Sequence, residues 1–167
     1  MEYLKKKNNW TNAKMSSYAK QNLFWIDFDE KSSKIARAMM LIAWDWKSHI
    51  YKENSLDSSF WQDSTRVDFK NEDLLQEFDE YEKQTQNEKE YLSFNFDVLL
   101  ANPPFAWEVK EASTLSKYKL WRHPKTWKNI DKISRHLLFI ERNLNFVKPW
   151  GRLALVLPQW VFNNTSE

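Results

Sequence analysis

Cysteine is absent from this 167-residue chain, and so is any apolar run long enough to cross a membrane. Without cysteine there can be no disulfide framework and no cysteine-based zinc site. The longest apolar run lies near Ala38 to Ala43, well short of a membrane span, and no signal peptide is recognisable. The length permits one domain with a real hydrophobic core. These features predict a cytoplasmic protein without membrane contact.

Glycine is scarce as well. The chain has one glycine and ten tryptophans, whereas the usual glycine frequency predicts about 12 glycines in a chain of this length. Several tryptophans lie where the backbone favours glycine. Trp44 and Trp46 follow the expected end of an apolar helix, and Trp150 lies in a Lys-Pro-Trp-Gly-Arg turn. These positions suggest that some tryptophans stand in the place of glycine.

The most informative segment runs from Phe96 to Phe105, where an apolar strand leads directly into Asn-Pro-Pro-Phe. Proline lacks an N–H group and restricts the residue before it, so Asn102 and Pro103 present carbonyl oxygens in a stiff direction. Two such acceptors can bind both hydrogens of an exocyclic amine, such as N6 of adenine, and make its nitrogen more nucleophilic. Pro104 completes the rigid corner, and Phe105 offers a flat face to a base turned out of a duplex. The alternative is a simple turn that closes a strand.

Alternating strand and helix patterns predict an α/β fold with a parallel, doubly wound sheet. We expect strands over Leu23–Phe28, His49–Lys52, Phe96–Ala101 and Arg152–Leu157, the last two buried, and helices over Lys14–Gln21 and Lys132–Val147. A further helix after the first strand, capped by Asp29 or Ser32, has one apolar face made of Ile35, Met39 and Ile42.

Ligands of such sheets bind at the carboxyl ends of the strands, where Asp27, Asn54 and Asn102 are expected to lie. An acidic residue at the carboxyl end of a strand in a nucleotide-binding sheet of this kind typically accepts hydrogen bonds from ribose hydroxyls. Asp27 is therefore a candidate for binding the ribose of a nucleoside cofactor.

Several segments share their order and sequence with a known family. They are Asn22–Lys31 followed by Lys34–Ala43, Asn54–Asp57, Ser134–Leu144, and Lys148–Pro149 followed by Arg152–Gln159. Together with Asn-Pro-Pro-Phe they resemble the N6-adenine DNA methyltransferases, most closely the modification subunit of type I restriction-modification systems.

The resemblance implies site-specific methylation of adenine N6 in double-stranded DNA, with S-adenosylmethionine as the cofactor and separate specificity and restriction subunits as partners. It also implies that Asn54 meets the adenine edge of the cofactor, whereas the residue alone is equally typical of a turn asparagine.

The family's glycine-rich cofactor loop has no counterpart before Leu23. We therefore expect a partial Rossmann-like methyltransferase fold that lacks the first strand with this loop and the last strands, and a chain with little activity by itself. The expected division is a helix end over residues 1–21, a cofactor-side half over 22–57, a charged helical insertion over 58–95 and a catalytic half over 96–167.

Charge is unevenly distributed around the Asn-Pro-Pro-Phe motif. The segment Glu72–Asp97 holds nine acidic residues and two lysines, whereas Glu108–Arg152 holds eleven basic and four acidic residues. Basic residues close behind the motif favour DNA phosphates through counterion release. The candidates are Lys110, Lys117, Lys119, Arg122, Lys125 and Lys128. A solvated surface is the alternative for each of them.

The resembled family has glycine at six tryptophan positions of this chain. They are Trp25, Trp44, Trp46, Trp107, Trp150 and Trp160. Our hypothesis is that the gene reads the UGA codon as glycine, and that Trp107 stands for a glycine that keeps the mouth of the site open. The alternative is a naturally tryptophan-rich protein.

The sequence is compatible with other functions as well. Asn-Pro-Pro-aromatic also serves methyltransferases that act on RNA or on glutamine side chains of proteins, and a non-catalytic remnant could bind partner subunits through the Lys132–Val147 helix. His49, His123 and His136 lack metal-ligand spacing, so no metal site is predicted.

Overall fold

The computed structural model of the protein describes residues 2–42, 49–58, 61–62 and 94–163. Trp44, Trp46 and most of the predicted helical insertion over 58–95 lie outside this part of the chain. The backbone divides into two compact units, Met1–Ser55 and Leu56–Glu167.

Helices and strands are numbered in chain order. The helices are α1 (Glu2–Asn8), α2 (Asn12–Asn22), α3 (Glu30–Ile42), α4 (Ala112–Leu115), α5 (Arg135–Leu144) and α6 (Trp160–Asn163). The strands are β1 (Phe24–Asp27), β2 (His49–Lys52), β3 (Phe96–Ala101), β4 (Glu108–Val109), β5 (Ile133–Ser134) and β6 (Val147–Leu155). None of these helices combines the length and hydrophobicity needed to span a bilayer.

The first unit is built around a parallel strand pair. β1 and β2 run in register from Phe24 opposite His49 to Asp27 opposite Lys52. The helix between them, α3, is tied to β2 by the Arg37 guanidinium, which donates to the Ile50 carbonyl at 3.0 Å. The strand-helix-strand order and the parallel pairing confirm the α/β prediction for this segment.

Helix α3 buries a different face from the one its apolar residues form. Ser33 and Ala36 are its buried residues, because small side chains let the helix approach the strands closely. Ile35, Met39 and Ile42 do form one face, as predicted, but they are 61%, 64% and 79% exposed.

The second unit contains another parallel pair, β3 and β6. Leu99 lies opposite Leu153 and Ala101 opposite Leu155, and the register shifts between Phe96 and Val98. The prediction that both strands are buried is wrong over the part of the chain described. Val98 and Leu100 of β3 are 59% and 78% exposed, because no described residue covers that face of the strand.

The predicted helix over Lys132–Val147 is shorter than expected. Ile133 and Ser134 form β5, which pairs antiparallel with Glu108 and Val109 of β4, and the helix α5 begins only at Arg135. At its other end Val147 already belongs to β6, which extends to Leu155 rather than over the predicted Arg152–Leu157. The described strands thus form three separate two-stranded sheets rather than one continuous sheet.

A hydrophobic core in the second unit joins the β4–β5 pair to the helices. Its buried members are Leu56, Val109, Leu115, Tyr118, Ile133 and Leu138. A separate group of aromatic rings surrounds the buried Phe94: the centroid of its ring is 4.8 Å from that of Phe146 and 6.1 Å from that of Trp61, on which it stacks.

Gly151 lies at the irregular step between β3 and β6. A Cβ atom there would be 2.5 Å from Val147 Cγ1, 3.0 Å from the Lys148 carbonyl oxygen and 3.1 Å from the Asp97 carbonyl oxygen. Two of these neighbours are backbone atoms, which cannot rotate away. Glycine is therefore required here by space.

We expect Gly151→Ala to lower the free energy of unfolding by about 1–3 kcal/mol, the usual cost of overpacking. Urea denaturation monitored by circular dichroism measures the change. Arg152→Ala, an exposed substitution in the same strand, is the control and should stay within about 0.5 kcal/mol of the parent. Equal midpoints for the two variants would show that the strand pair yields easily at Gly151.

Candidate active site

The Asn-Pro-Pro-Phe motif directly follows the carboxyl end of β3. The Ala101 carbonyl accepts a hydrogen bond from the Val156 amide at 3.0 Å, so the strand pairing continues to the residue before Asn102. Pro103 is buried, whereas the Asn102 side chain is exposed and Phe105 is 41% exposed. A buried proline thus anchors the corner, while the amide and the aromatic ring face solvent.

The backbone leaving the motif is held as firmly as the backbone entering it. The Trp107 carbonyl accepts a hydrogen bond from the Arg135 amide at 3.0 Å, at the first residue of α5. Glu108 and Val109 then pair with β5, and Val109 is buried in the core. The motif is therefore fixed by main-chain hydrogen bonds on both sides, which limits the positions that Asn102 and Phe105 can take.

Asp27 closes β1 in the first unit, as predicted. Its Oδ1 accepts a hydrogen bond from the Asp29 amide at 2.8 Å, and its carbonyl accepts from the Glu53 amide at 3.1 Å. No donor for Oδ2 lies among the residues the structure describes. The backbone thus orients the half-buried carboxylate through Oδ1, whereas Oδ2 accepts no hydrogen bond from a described residue.

Asp29 caps helix α3, as predicted from the sequence. Its Oδ2 accepts from the Ser32 amide at 2.7 Å and from the Ser32 hydroxyl at 2.8 Å. The Ser32 amide and then the Ser32 hydroxyl hold the pKa of the Asp29 carboxyl below its usual value, since both stabilise the ionised form. Asp29 therefore serves the helix, and Asp27 is the acidic residue available at the strand end.

Sequence reasoning missed Glu53. This carboxylate residue directly follows β2 and is only 7% exposed, and its amide is bonded to the Asp27 carbonyl. Asn54, the residue after it, is half-buried. The available signal was the same one that identified Asp27, an acidic residue at the carboxyl end of a strand.

The candidate phosphate-binding residues differ in their surroundings. Lys110, Lys119, Arg122, Lys125 and Lys128 are all exposed. Three of them belong to a hairpin-like loop that we term the basic hairpin, residues 121–130.

Main-chain contacts close the basic hairpin. Arg122 pairs with Asn129 in an isolated antiparallel bridge, and the Ile130 amide donates to the Trp121 carbonyl at 2.8 Å. At the tip, His123 Nδ1 accepts from the amides of Lys125 and Thr126 at 3.2 and 3.3 Å. The backbone thus presents Arg122, Lys125 and Lys128 on one short, ordered loop.

The carboxylate of Glu141 holds the chain that leads into the basic hairpin. Its two oxygens accept from the Lys119 amide at 2.6 Å and from the Leu120 amide at 3.0 Å. Because Glu141 belongs to α5, this contact fixes the start of the hairpin against the helix. The sequence carried no sign of this contact, which joins residues far apart in the chain.

Lys117 does not fit the predicted phosphate-binding role. Its ammonium group forms an ion pair with Asp57, and the two side chains are only 8% and 1% exposed. Thr114 Oγ1 donates to the other carboxylate oxygen of Asp57 at 3.3 Å. Lys117 is therefore part of the interior, and its prediction as a DNA contact is corrected.

The carboxyl-terminal unit and most of the amino-terminal unit match one known family. The model of the Eco57I restriction-modification methylase family matches residues 21–167. The chain belongs to this family. Neither the curated proteins nor the solved structures include a significant match to the chain.

Family membership confirms the broad prediction from the sequence. The chain carries a DNA methyltransferase domain of the restriction-modification type. The matching model describes the methylase family as a whole, so the resemblance to a type I modification subunit stays a prediction. No cluster of histidine and acidic side chains suited to a metal ion occurs within the described residues.

Proposed function

We propose that the protein transfers a methyl group from S-adenosylmethionine to N6 of adenine in double-stranded DNA, within a restriction-modification system. The placement of Asn-Pro-Pro-Phe carries this proposal. The motif stands at the end of a strand, anchored by a buried Pro103, with an amide and an aromatic ring open to solvent. A simple turn needs neither exposed group.

The chemistry follows from the acceptors at the corner. The Asn102 Oδ1 and the Pro103 carbonyl would accept the two N–H hydrogens of the target amine, which draws the nitrogen lone pair out of the ring. When bound, S-adenosylmethionine would supply an electrophilic methyl group: the amine nitrogen would form the new N–C bond as the S–C bond breaks, then lose a proton, and S-adenosylhomocysteine would be the leaving product. Phe105 would stack on the base once it has left the duplex.

Asp27 and Asn54 are the proposed cofactor residues. The oriented Asp27 carboxylate fits a ribose because its Oδ2 can accept from a hydroxyl group. Asn54, two residues after β2, would meet the adenine edge of the cofactor. We propose a Rossmann-like methyltransferase fold for the domain, since both long strand pairs are parallel, and specificity and restriction subunits as its partners.

Genomic DNA tests the proposed reaction in the cell. Cells that carry the gene should contain N6-methyladenine at a defined sequence, and deletion of the gene should remove it. Nucleoside analysis by mass spectrometry identifies the product, and labelled methyl groups from S-adenosylmethionine trace its source. Loss of a methylated cytosine, RNA base or protein glutamine instead, with N6-methyladenine unchanged, would contradict the proposal.

The basic hairpin should supply phosphate contacts. We expect Lys125→Ala/Lys128→Ala to weaken DNA binding for all sequences alike and to reduce the salt dependence of log K by about 1.8, since each phosphate contact contributes about 0.9. Fluorescence anisotropy across a salt series measures both quantities. Lys20→Ala/Lys31→Ala removes the same charge from exposed sites of the first unit and serves as the control. Equal slopes for the two double variants would remove the hairpin from the DNA surface.

A further inference from the structure

Left-handed backbone occurs at an unusual set of residues. Four non-glycine positions in the described ranges have positive φ: Asn9 at 53°, Trp107 at 83°, Trp127 at 57° and Trp150 at 68°. Asparagine is one of the few residues that adopts this region readily. For a bulky side chain such as tryptophan it is an outlier, because the Cβ atom crowds the backbone.

Burial of the three indole rings does not offset the energetic cost of this backbone conformation. Trp107, Trp127 and Trp150 are 77%, 73% and 100% exposed, so little of their surface is removed from water. Trp61 is the contrast, because it is 3% exposed and stacks on Phe94. Trp61 thus has a packing role that only a large side chain can fill, and the other three have none.

The surrounding main chain sets the conformation at these positions. The Trp127 amide donates to the His123 carbonyl at 2.8 Å, which closes the tip of the basic hairpin, and the Trp107 carbonyl accepts from Arg135. Trp150 directly precedes Gly151 in the irregular part of β6, and its own φ of 68° lies in the left-handed region. Each of these positions therefore favours a residue without a side chain.

We propose that residues Trp107, Trp127 and Trp150 are glycines in the protein that the cell makes, because UGA codons at these positions are decoded as glycine. The composition agrees, with one glycine and ten tryptophans in the chain. The backbone adds Trp127, which the sequence alone does not distinguish from a genuine tryptophan. The backbone does not require a left-handed residue at Trp25 within β1 or at Trp160 within α6.

The proposal changes both functional loops. Glycine at 107 would remove a large exposed ring two residues after Phe105, at the exit of the Asn-Pro-Pro-Phe corner. Glycine at 127 would remove another from the tip of the basic hairpin, between Lys125 and Lys128. Both changes leave more room for DNA beside the residues proposed to contact it.

Peptide sequencing by mass spectrometry decides the matter directly. The protein is purified from its own cells, and the peptides that span residues 107, 127 and 150 are sequenced beside the corresponding codons. Glycine at all three positions with UGA codons is the expected result. Tryptophan at any of the three, or a UGG codon there, overturns the proposal for that position.

Thermal unfolding of recombinant protein tests the backbone argument separately. Trp107→Gly, Trp127→Gly and Trp150→Gly should each raise Tm by roughly 2–4 °C, because each relieves a left-handed residue at no cost in burial. Trp25→Gly is the matched control, since Trp25 is half exposed but lies in a strand, and it should lower Tm. A fall in Tm for the first three variants would overturn the argument from backbone geometry.

Discussion

Replacing Asn102 with alanine should reduce methyl transfer by about 10²–10³-fold, the usual cost of removing one hydrogen-bonding group that acts on the reacting atoms. Asn102 is exposed at the end of β3, and its neighbour Pro103 is buried. The substitution therefore removes an acceptor for the target amine without opening the core. The loss should appear in kcat, because the lone pair is drawn out of the ring only as the reaction proceeds.

The measurement is single-turnover methylation of duplex DNA with labelled S-adenosylmethionine, using the methylase together with the specificity and restriction subunits proposed as its partners. Asn95→Ala is the matched control, since Asn95 is an exposed asparagine just before the same strand, and it should retain the parent rate. DNA binding by Asn102→Ala should also match the parent. A variant at Asn102 that methylates at the parent rate would exclude the residue from the chemistry and leave Asn-Pro-Pro-Phe as a turn.

Local sequence patterns predicted the strands that matter for this site. The bounds of β2 and β3 agree with the predicted His49–Lys52 and Phe96–Ala101. Each is a short run of mainly apolar or aromatic residues, and the polar residue that follows it disfavours a strand. The local sequence alone therefore indicates where each strand ends. The cap at Asp29 could be predicted for the same reason, because its partner Ser32 is three residues away.

Contacts between distant segments could not be predicted in this way. Helix α5 begins at Arg135 because Ile133 and Ser134 pair with Val109 and Glu108, far earlier in the chain. The attachment of the basic hairpin to Glu141 is equally non-local. Periodicity reports which face of a segment is apolar, and it does not report which partner takes up its backbone hydrogen bonds.

Lys117 shows the same limit for charged residues. In the sequence it is one of six basic residues behind the motif, with nothing to separate it from Lys119 or Lys125. Only the fold brings Asp57 to its ammonium group, across 60 residues of chain. Residue type and spacing therefore identify a group of basic residues. Only the fold shows which of them are exposed and which are buried.

Lys117→Met should be the most damaging substitution for stability. The change removes the cation but keeps the length of the side chain, so the carboxylate of Asp57, which is 1% exposed, loses its ion pair with Lys117. Breaking a buried ion pair from one side typically costs about 3–5 kcal/mol, because the remaining charge is desolvated and uncompensated. A loss of this size is a large fraction of the total stability of a domain.

Urea denaturation of three variants tests this expectation. Lys125→Met removes the same charge from an exposed position in the basic hairpin and should change the free energy of unfolding by no more than about 0.5 kcal/mol. The double variant Lys117→Met/Asp57→Leu removes both charges and should recover most of the loss, since the buried carboxylate is gone. If Lys117→Met cost no more than Lys125→Met, the buried pair would contribute nothing to the fold and Lys117 would return to the candidates for DNA binding.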